Sequence, residues 1–196
     1  MYEVERTILF DESFPARLSE LGELASEKTF TDSYWDTEDY QLITKSWWLR
    51  ERDGKWELKI YGSDGNGMGM SEEVTDDLRI TKLLGLPNGA VKSALERAGY
   101  RPFCELSSTR KRYSVNGMSV DLDSVKGENF DYQIGEVEME VEHPDETPQA
   151  AAKIAQFVWQ NGLSEVRTRG KVLEYLWQVK PEVYRMLVEK GVIEDG

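Results

Sequence analysis

Three short segments of the chain carry carboxylates two residues apart: Glu3 and Glu5, Asp121 and Asp123, Glu136 and Glu138. Two others carry guanidinium groups at the same spacing, Arg50 with Arg52 and Arg110 with Arg112, and Lys59 follows the first of these. Clustered guanidinium groups repel one another unless an anion compensates them, and their planar fork matches phosphate oxygens. Clustered carboxylates need a cation in the same way. An all-oxygen set without His or Cys suits Mg²⁺ or Mn²⁺, not zinc. Together the two sets imply a metal–polyphosphate complex, in which the metal would bridge phosphate oxygens and polarise phosphorus.

Composition narrows the alternatives. The chain has 196 residues with 39% hydrophobic and 11% aromatic content, enough for a packed core and for a single domain over 1–196. Its net charge is −13, from 24 Lys and Arg against 37 Asp and Glu. Non-specific binding to nucleic acid or to an anionic membrane needs basic surface, so neither is expected as a partner. A small-molecule triphosphate and a monomeric state are the expectation instead. One cysteine, Cys104, and one histidine, His143, leave no intrachain disulfide, zinc site or Ser-His chemistry to build. Without a disulfide framework, a signal peptide or an apolar run long enough to span a bilayer, a cytoplasmic location is expected.

A spacing of two becomes a shared face only in a β-strand. Alternation predicts strands over 2–10, 28–36, 47–52, 55–61, 103–115, 118–122 and 132–142, and helices over 15–24, 90–98, 148–161, 171–179 and 181–190. Pro148 and Pro181 suit first helical turns. The Gly-rich run 63–70 predicts a loop near the site. Asp53-Gly54 predicts a two-residue type I′ hairpin turn. That turn sets Arg52 opposite Lys55, Arg50 opposite Glu57 and Trp48 opposite Lys59, so these six share one face. Trp47, Leu49, Trp56, Leu58 and Ile60 fall on the other.

Taken strand by strand, each polar face fits the solvated side of an antiparallel sheet. Taken together they do not. The signs are segregated, acidic at Glu3/Glu5, Asp121/Asp123 and Glu136/Glu138 and basic at Arg50/Arg52 and Arg110/Arg112, an indole lies on a charged face, and the opposite faces are apolar with five helices to cover them. A closed antiparallel β-barrel of about eight strands, α+β in class, satisfies all three, with charges inside, helices packed outside and the C-terminal helices beginning near 148.

These residues also carry a family resemblance. Glu3-Val4-Glu5-Arg6 resembles the start of the Glu-x-Glu-x-Lys signature of the CYTH, or triphosphate tunnel metalloenzyme, superfamily. Tyr34-Trp35-Asp36-Thr37, Trp48-Leu49-Arg50-Glu51-Arg52, Trp56-Glu57-Leu58-Lys59, Val120-Asp121-Leu122-Asp123 and Gly135-Glu136-Val137-Glu138 are similar to segments of its thiamine triphosphatase branch. The resemblance implies Mg²⁺-dependent hydrolysis of a triphosphate. Asp121, Glu136 and Glu138 would hold the metal. Glu3 and Glu5 would complete the acidic side, through a second metal or the substrate's cationic ring. Arg50, Arg52, Lys59, Arg110 and Lys171 would hold the triphosphate, and Trp48 would stack on thiamine. Tyr34 and Lys59 match a pair that would activate water, with Lys59 lowering the phenol's proton affinity. Inorganic tripolyphosphate hydrolysis, cyclisation of ATP as in class IV adenylyl cyclases, and polyphosphate binding without turnover are the alternatives. The signature's lysine falls at Thr7, which donates a hydrogen bond but adds no charge; Arg112 is the candidate to compensate. Glu136→Gln is expected to abolish Mg²⁺-dependent phosphate release while far-ultraviolet circular dichroism stays unchanged; full activity would contradict the metal assignment.

Overall fold

The Asp53-Gly54 turn sets the register of the whole charged hairpin. Both residues have positive φ, 48° and 79°, as a type I′ turn requires. In the computed structural model, which describes residues 2–61, 69–87, 89–163 and 169–194, this turn joins β3 (Trp47–Arg52) to β4 (Lys55–Tyr61). Arg52 pairs with Lys55, Arg50 with Glu57 and Trp48 with Lys59, the register that the turn predicts. Asn116-Gly117 repeats the device, at φ 50° and 77°, between β6 (Arg101–Val115) and β7 (Met118–Gly127).

The remaining strands are β1 (Tyr2–Ile8), β2 (Glu23–Asp36), β5 (Gly69–Val74) and β8 (Phe130–Val141). All neighbours are antiparallel, and the order β1-β5-β4-β3-β2-β6-β7-β8 closes into a barrel through β1 and β8. Closure removes both sheet edges and gives the sheet an enclosed face.

Apolar residues on the outer face fix which side that is. α1 (Phe14–Leu21) and α4 (Thr147–Gln160) bury Phe14, Leu18, Ile154 and Phe157 against Val4, Ile8, Val120 and Val137. α2 (Asp77–Leu83) and α3 (Val91–Arg97) cover the opposite flank, where Ile80 and Leu95 pack with Trp35, Leu49, Trp56 and Leu58. The last two helices do something different. Alternation gives Leu106, Val125 and Ile134 the same inward face as Ser108, Asp123 and Glu136. These three pack with Val172, Tyr175 and Leu176 of α5 (Lys171–Val179) and with Val183 and Leu187 of α6 (Pro181–Glu189). Inward-facing strand residues are therefore apolar where α5 and α6 meet them and charged beyond. No described helix is long and apolar enough to cross a membrane.

The structure departs from the sequence expectation at several elements. β7 runs on to Gly127 and β8 starts at Phe130, where strands over 118–122 and 132–142 were expected. β2 begins at Glu23 and not at 28, because α1 stops at Leu21 and Gly22 then lies against the backbone of Ser114. β5 and α2 were not anticipated. Most of the Gly-rich run 63–70 lies outside the described residues, and its last two residues open β5.

Gly135 pairs with Ile8 on β1 and leads into Glu136. A Cβ added there would stand 2.7 Å from Ile8 Cγ1 and 3.2 Å from Phe10 Cδ1. Gly135→Ala is expected to destabilise the fold by about 1–3 kcal/mol in urea denaturation, with the penalty reduced in an Ile8→Ala background. Additive costs would contradict the contact.

Candidate active site

Lone buried charges are too costly to persist, so the ion pairs reveal how the interior is organised. Asp32 on β2 is fully buried. Its carboxylate accepts two hydrogen bonds from Arg52, at 2.6 and 2.9 Å, and one from Lys171 Nζ at 2.7 Å; Arg50 lies 3.8 Å away. Phe30, two residues earlier on the same strand, presents its ring to Arg52 at 4.0 Å, Lys171 at 5.4 Å and Arg110 at 5.6 Å. Arg50 also pairs with Glu57 and hydrogen-bonds the Tyr34 oxygen. Arg50 Nε and the Ser108 hydroxyl are buried without a hydrogen-bond partner among the described residues. Cations from β3, β6 and α5 thus meet around the inward face of β2.

Carboxylates crowd the other side. Lys59 donates to Glu3 at 3.1 Å and to Glu5 at 2.7 Å, with Glu73 at 3.8 Å. The Tyr61 hydroxyl donates to Glu5 at 2.7 Å. Arg110 is bidentate to Asp123, at 2.7 Å on both arms, and also reaches Glu136 at 3.2 Å and Asp121. Arg112 is bidentate to Asp121, at 2.7 and 2.6 Å, and reaches Glu138 at 2.5 Å. Burial pushes Glu138 up to about 9, helped by its hydrogen bond to Glu3 and by that group's charge. Glu73, more than a third exposed, is pushed up to about 8 by partial desolvation and the same neighbour. Burial also raises Glu5, to about 7, against the pull of Lys59. Glu3 is itself buried, but Lys59 and its hydrogen bonds hold it well below the usual carboxylate range. The acidic side therefore carries more negative charge than its surroundings tolerate, and takes up protons instead.

The CYTH domain profile matches residues 1–169 of the chain. This chain belongs to the CYTH family. It is 31% identical to the thiamine-triphosphatase of Homo sapiens over 96% of its own length and 90% of that protein, and 30% identical to that of Macaca fascicularis over the same shares. Among solved structures, its fold is similar to that of the PH1819 protein of Pyrococcus horikoshii, with a TM-score of 0.61 at 21% identity, covering 87% of this chain and 96% of that one. It is also similar to HpAC1 of Hippeastrum, with a TM-score of 0.51 at 16% identity, covering 94% and 95%.

The CYTH barrel turns all the residues singled out in the sequence toward one interior: Glu3, Glu5, Trp48, Arg50, Arg52, Lys59, Arg110, Asp121, Glu136, Glu138 and Lys171, with Tyr34 against Arg50. Two expectations need correction. The paired acids and paired arginines keep one sign each on β1, β3, β6, β7 and β8, but β4 mixes Lys55, Glu57 and Lys59 on one face, and across strands opposite signs pair, because a charge largely withdrawn from water needs its opposite. The phenol of Tyr34 is not made more acidic. Burial, with Asp32 nearby, pushes it well above its ordinary value despite Arg50, while Lys59 is taken up by Glu3 and Glu5. Arg112 occupies one cross-strand row with Asp121, Glu136 and Thr7. Asp32, Phe30, Glu73 and Tyr61 were missed. Asp32 and Phe30 precede Tyr34 at intervals of two, which was the available clue.

The donor chemistry of the acidic side fits a hard divalent cation: it is all oxygen, overcharged, and holds protons that a cation would replace. No group of three or more such side chains among the described residues is already arranged to hold one; Arg110, Arg112 and Lys59 engage their oxygens. Because the carboxyls of Glu5, Glu73 and Glu138 are raised on folding, the native state binds protons that the unfolded chain releases. Their contribution is complete below about pH 4.5 and is lost as pH rises through about 7 to 9. In EDTA, Tm should fall across that window, and the fall should be shallower in Glu138→Gln. Identical slopes would contradict the assignment.

Proposed function

We propose that this CYTH protein hydrolyses thiamine triphosphate to thiamine diphosphate and orthophosphate in the presence of a divalent cation, Mg²⁺ or Mn²⁺. The observation that carries this reading is the meeting of Arg50, Arg52, Arg110 and Lys171 inside the barrel, with a buried guanidinium donor on Arg50 left without a partner among the described residues. Phosphate oxygens match that arrangement in both charge and geometry. The similarity to thiamine-triphosphatases over nearly the whole chain supports thiamine as the carrier. So does Trp48, inward and half-buried next to the arginines. An indole face attracts a thiazolium cation by about 0.5–2 kcal/mol.

In this reading Arg50, Arg52, Arg110 and Lys171 hold the triphosphate and take up charge as it moves to the leaving diphosphate. Asp121, Glu136 and Glu138 hold the cation, with Glu3 and Glu5 completing the acidic side. The cation, when bound, neutralises phosphate oxygens and orients the leaving group. Water attacks the terminal phosphorus, the bond to the bridging oxygen breaks with its electron pair leaving on the diphosphate, and the water's proton passes to the orthophosphate oxygens and on to solvent. A loose transition state leaves little work for a strong base. Tyr34 therefore acts as a neutral donor beside Arg50, and Lys59, clamped by Glu3 and Glu5, orients the water.

Phosphate release from thiamine triphosphate, inorganic tripolyphosphate and ATP with Mg²⁺ tests the reading. The highest kcat/KM is expected for thiamine triphosphate. A preference for tripolyphosphate would make the protein an inorganic tripolyphosphatase. Cyclic AMP with diphosphate would make it a cyclase, and tight binding without product would make it a binding module. Trp48→Ala should raise KM for thiamine triphosphate by about 2- to 30-fold and leave tripolyphosphate nearly unchanged; equal effects on both would remove thiamine from the account.

A further inference from the structure

Asp32 presents a contradiction. It is a fully buried carboxylate at the centre of the cations that would receive a polyanion, and its charge opposes the ligand. None of the chemistry above uses it. Yet it makes more ionic contacts than packing alone requires: both arms of Arg52, the ammonium of Lys171 and the approach of Arg50.

We infer that Asp32 is a positioning residue: it fixes Arg52 and Lys171 in the pose that receives the triphosphate, and ties α5 to the barrel at that point. The inference rests on the triphosphate reading of the site. Arg52 and Lys171 have long, rotamer-rich side chains. Left alone they would splay apart, by mutual repulsion and toward water. Asp32 holds the Arg52 fork through two bonds and places the Lys171 ammonium 2.7 Å from one of the same oxygens. The Phe30 ring supports both from below, at 4.0 and 5.4 Å. Arg50, Arg52 and Lys171 against Asp32 and Glu57 leave one positive charge in excess, so the cluster stays receptive to an anion while being held in shape. Donors fixed before the reaction need no rearrangement as charge develops. Lys171 comes from a helix far along the chain, so this carboxylate is also where the C-terminal segment enters the active site.

The expected signature separates positioning from mere stability. In Asp32→Asn, kcat should fall about tenfold or more, as displaced catalytic groups usually cause. KM should change little, because a charge that repels the substrate is lost together with the alignment. The pH profile should move as well. Burial lowers the proton affinity of Lys171; Asp32 and Asp123 oppose this, while Arg50 and Arg110 add to it. Without Asp32, the alkaline fall in kcat/KM should start at lower pH. Asp32→Glu keeps the charge but shifts it by a methylene, so it should lower kcat while leaving the alkaline limb in place.

Steady-state kinetics of the wild type and both variants from pH 6 to 10, with folding checked by circular dichroism, test this. Unchanged kcat in either folded variant would overturn the inference, as would an unshifted alkaline limb in Asp32→Asn. If Asp32→Asn does not fold, the kcat of Asp32→Glu decides. If the wild type turns over no triphosphate, the functional reading fails separately. Calorimetric binding of inorganic tripolyphosphate over the same pH range then judges Asp32, with earlier alkaline loss of binding in Asp32→Asn as the supporting result and parallel curves as the contrary one.

Discussion

A charge withdrawn from water must find an opposite charge, and this constraint governs the interior of the barrel. Removing an ion from water costs several kcal/mol even after relaxation. Arg52 therefore sits on Asp32, Arg110 on Asp123 and Glu136, Arg112 on Asp121 and Glu138, and Lys59 on Glu3 and Glu5. Pairs of this kind add little net stability over an apolar core. Their persistence suits the proposed function, in which guanidinium groups would pass from carboxylates to phosphate oxygens and carboxylates from guanidinium groups to a cation.

The rest of the fold makes such an interior affordable. Three apolar clusters enclose the charged band, two on the outer flanks and one where α5 and α6 meet inward-facing strand residues. The third does double duty. By packing against Leu106, Val125 and Ile134, α5 and α6 fill one end of the barrel with apolar side chains, and α5 delivers Lys171 to Asp32. Burial strengthens the electrostatic contacts nearest that end, those of Asp32 and Lys171 above all, so the packing of α5 and the electrostatics around Asp32 are one arrangement.

Much of this was legible in the sequence because β-structure has a period of two. The Asp53-Gly54 turn fixed the register of Trp48, Arg50, Arg52 and Lys59, and the paired acids declared their faces. What could not be read depended on long-range packing. Alternation puts Asp32 on the Tyr34 face, but its partners Arg52 and Lys171 appear only once β2 is paired with β3 and α5 is in place. Glu73 belongs to β5, which emerges from a Gly-rich run with no clean alternation before it. The raised proton affinity of Tyr34 follows from burial in the cluster that α5 and α6 complete, far away in sequence. The family resemblance supplied roles for the residues but not the pairing of opposite signs across strands.

The most direct measurement is a crystal structure of the protein grown with inorganic tripolyphosphate and Mn²⁺, using the anomalous signal of manganese to locate the cation. The account predicts a manganese peak among Asp121, Glu136 and Glu138, with phosphate oxygens on Arg50, Arg52, Arg110 and Lys171. Manganese and phosphate bound on the outer surface, with the interior ion pairs intact, would contradict it.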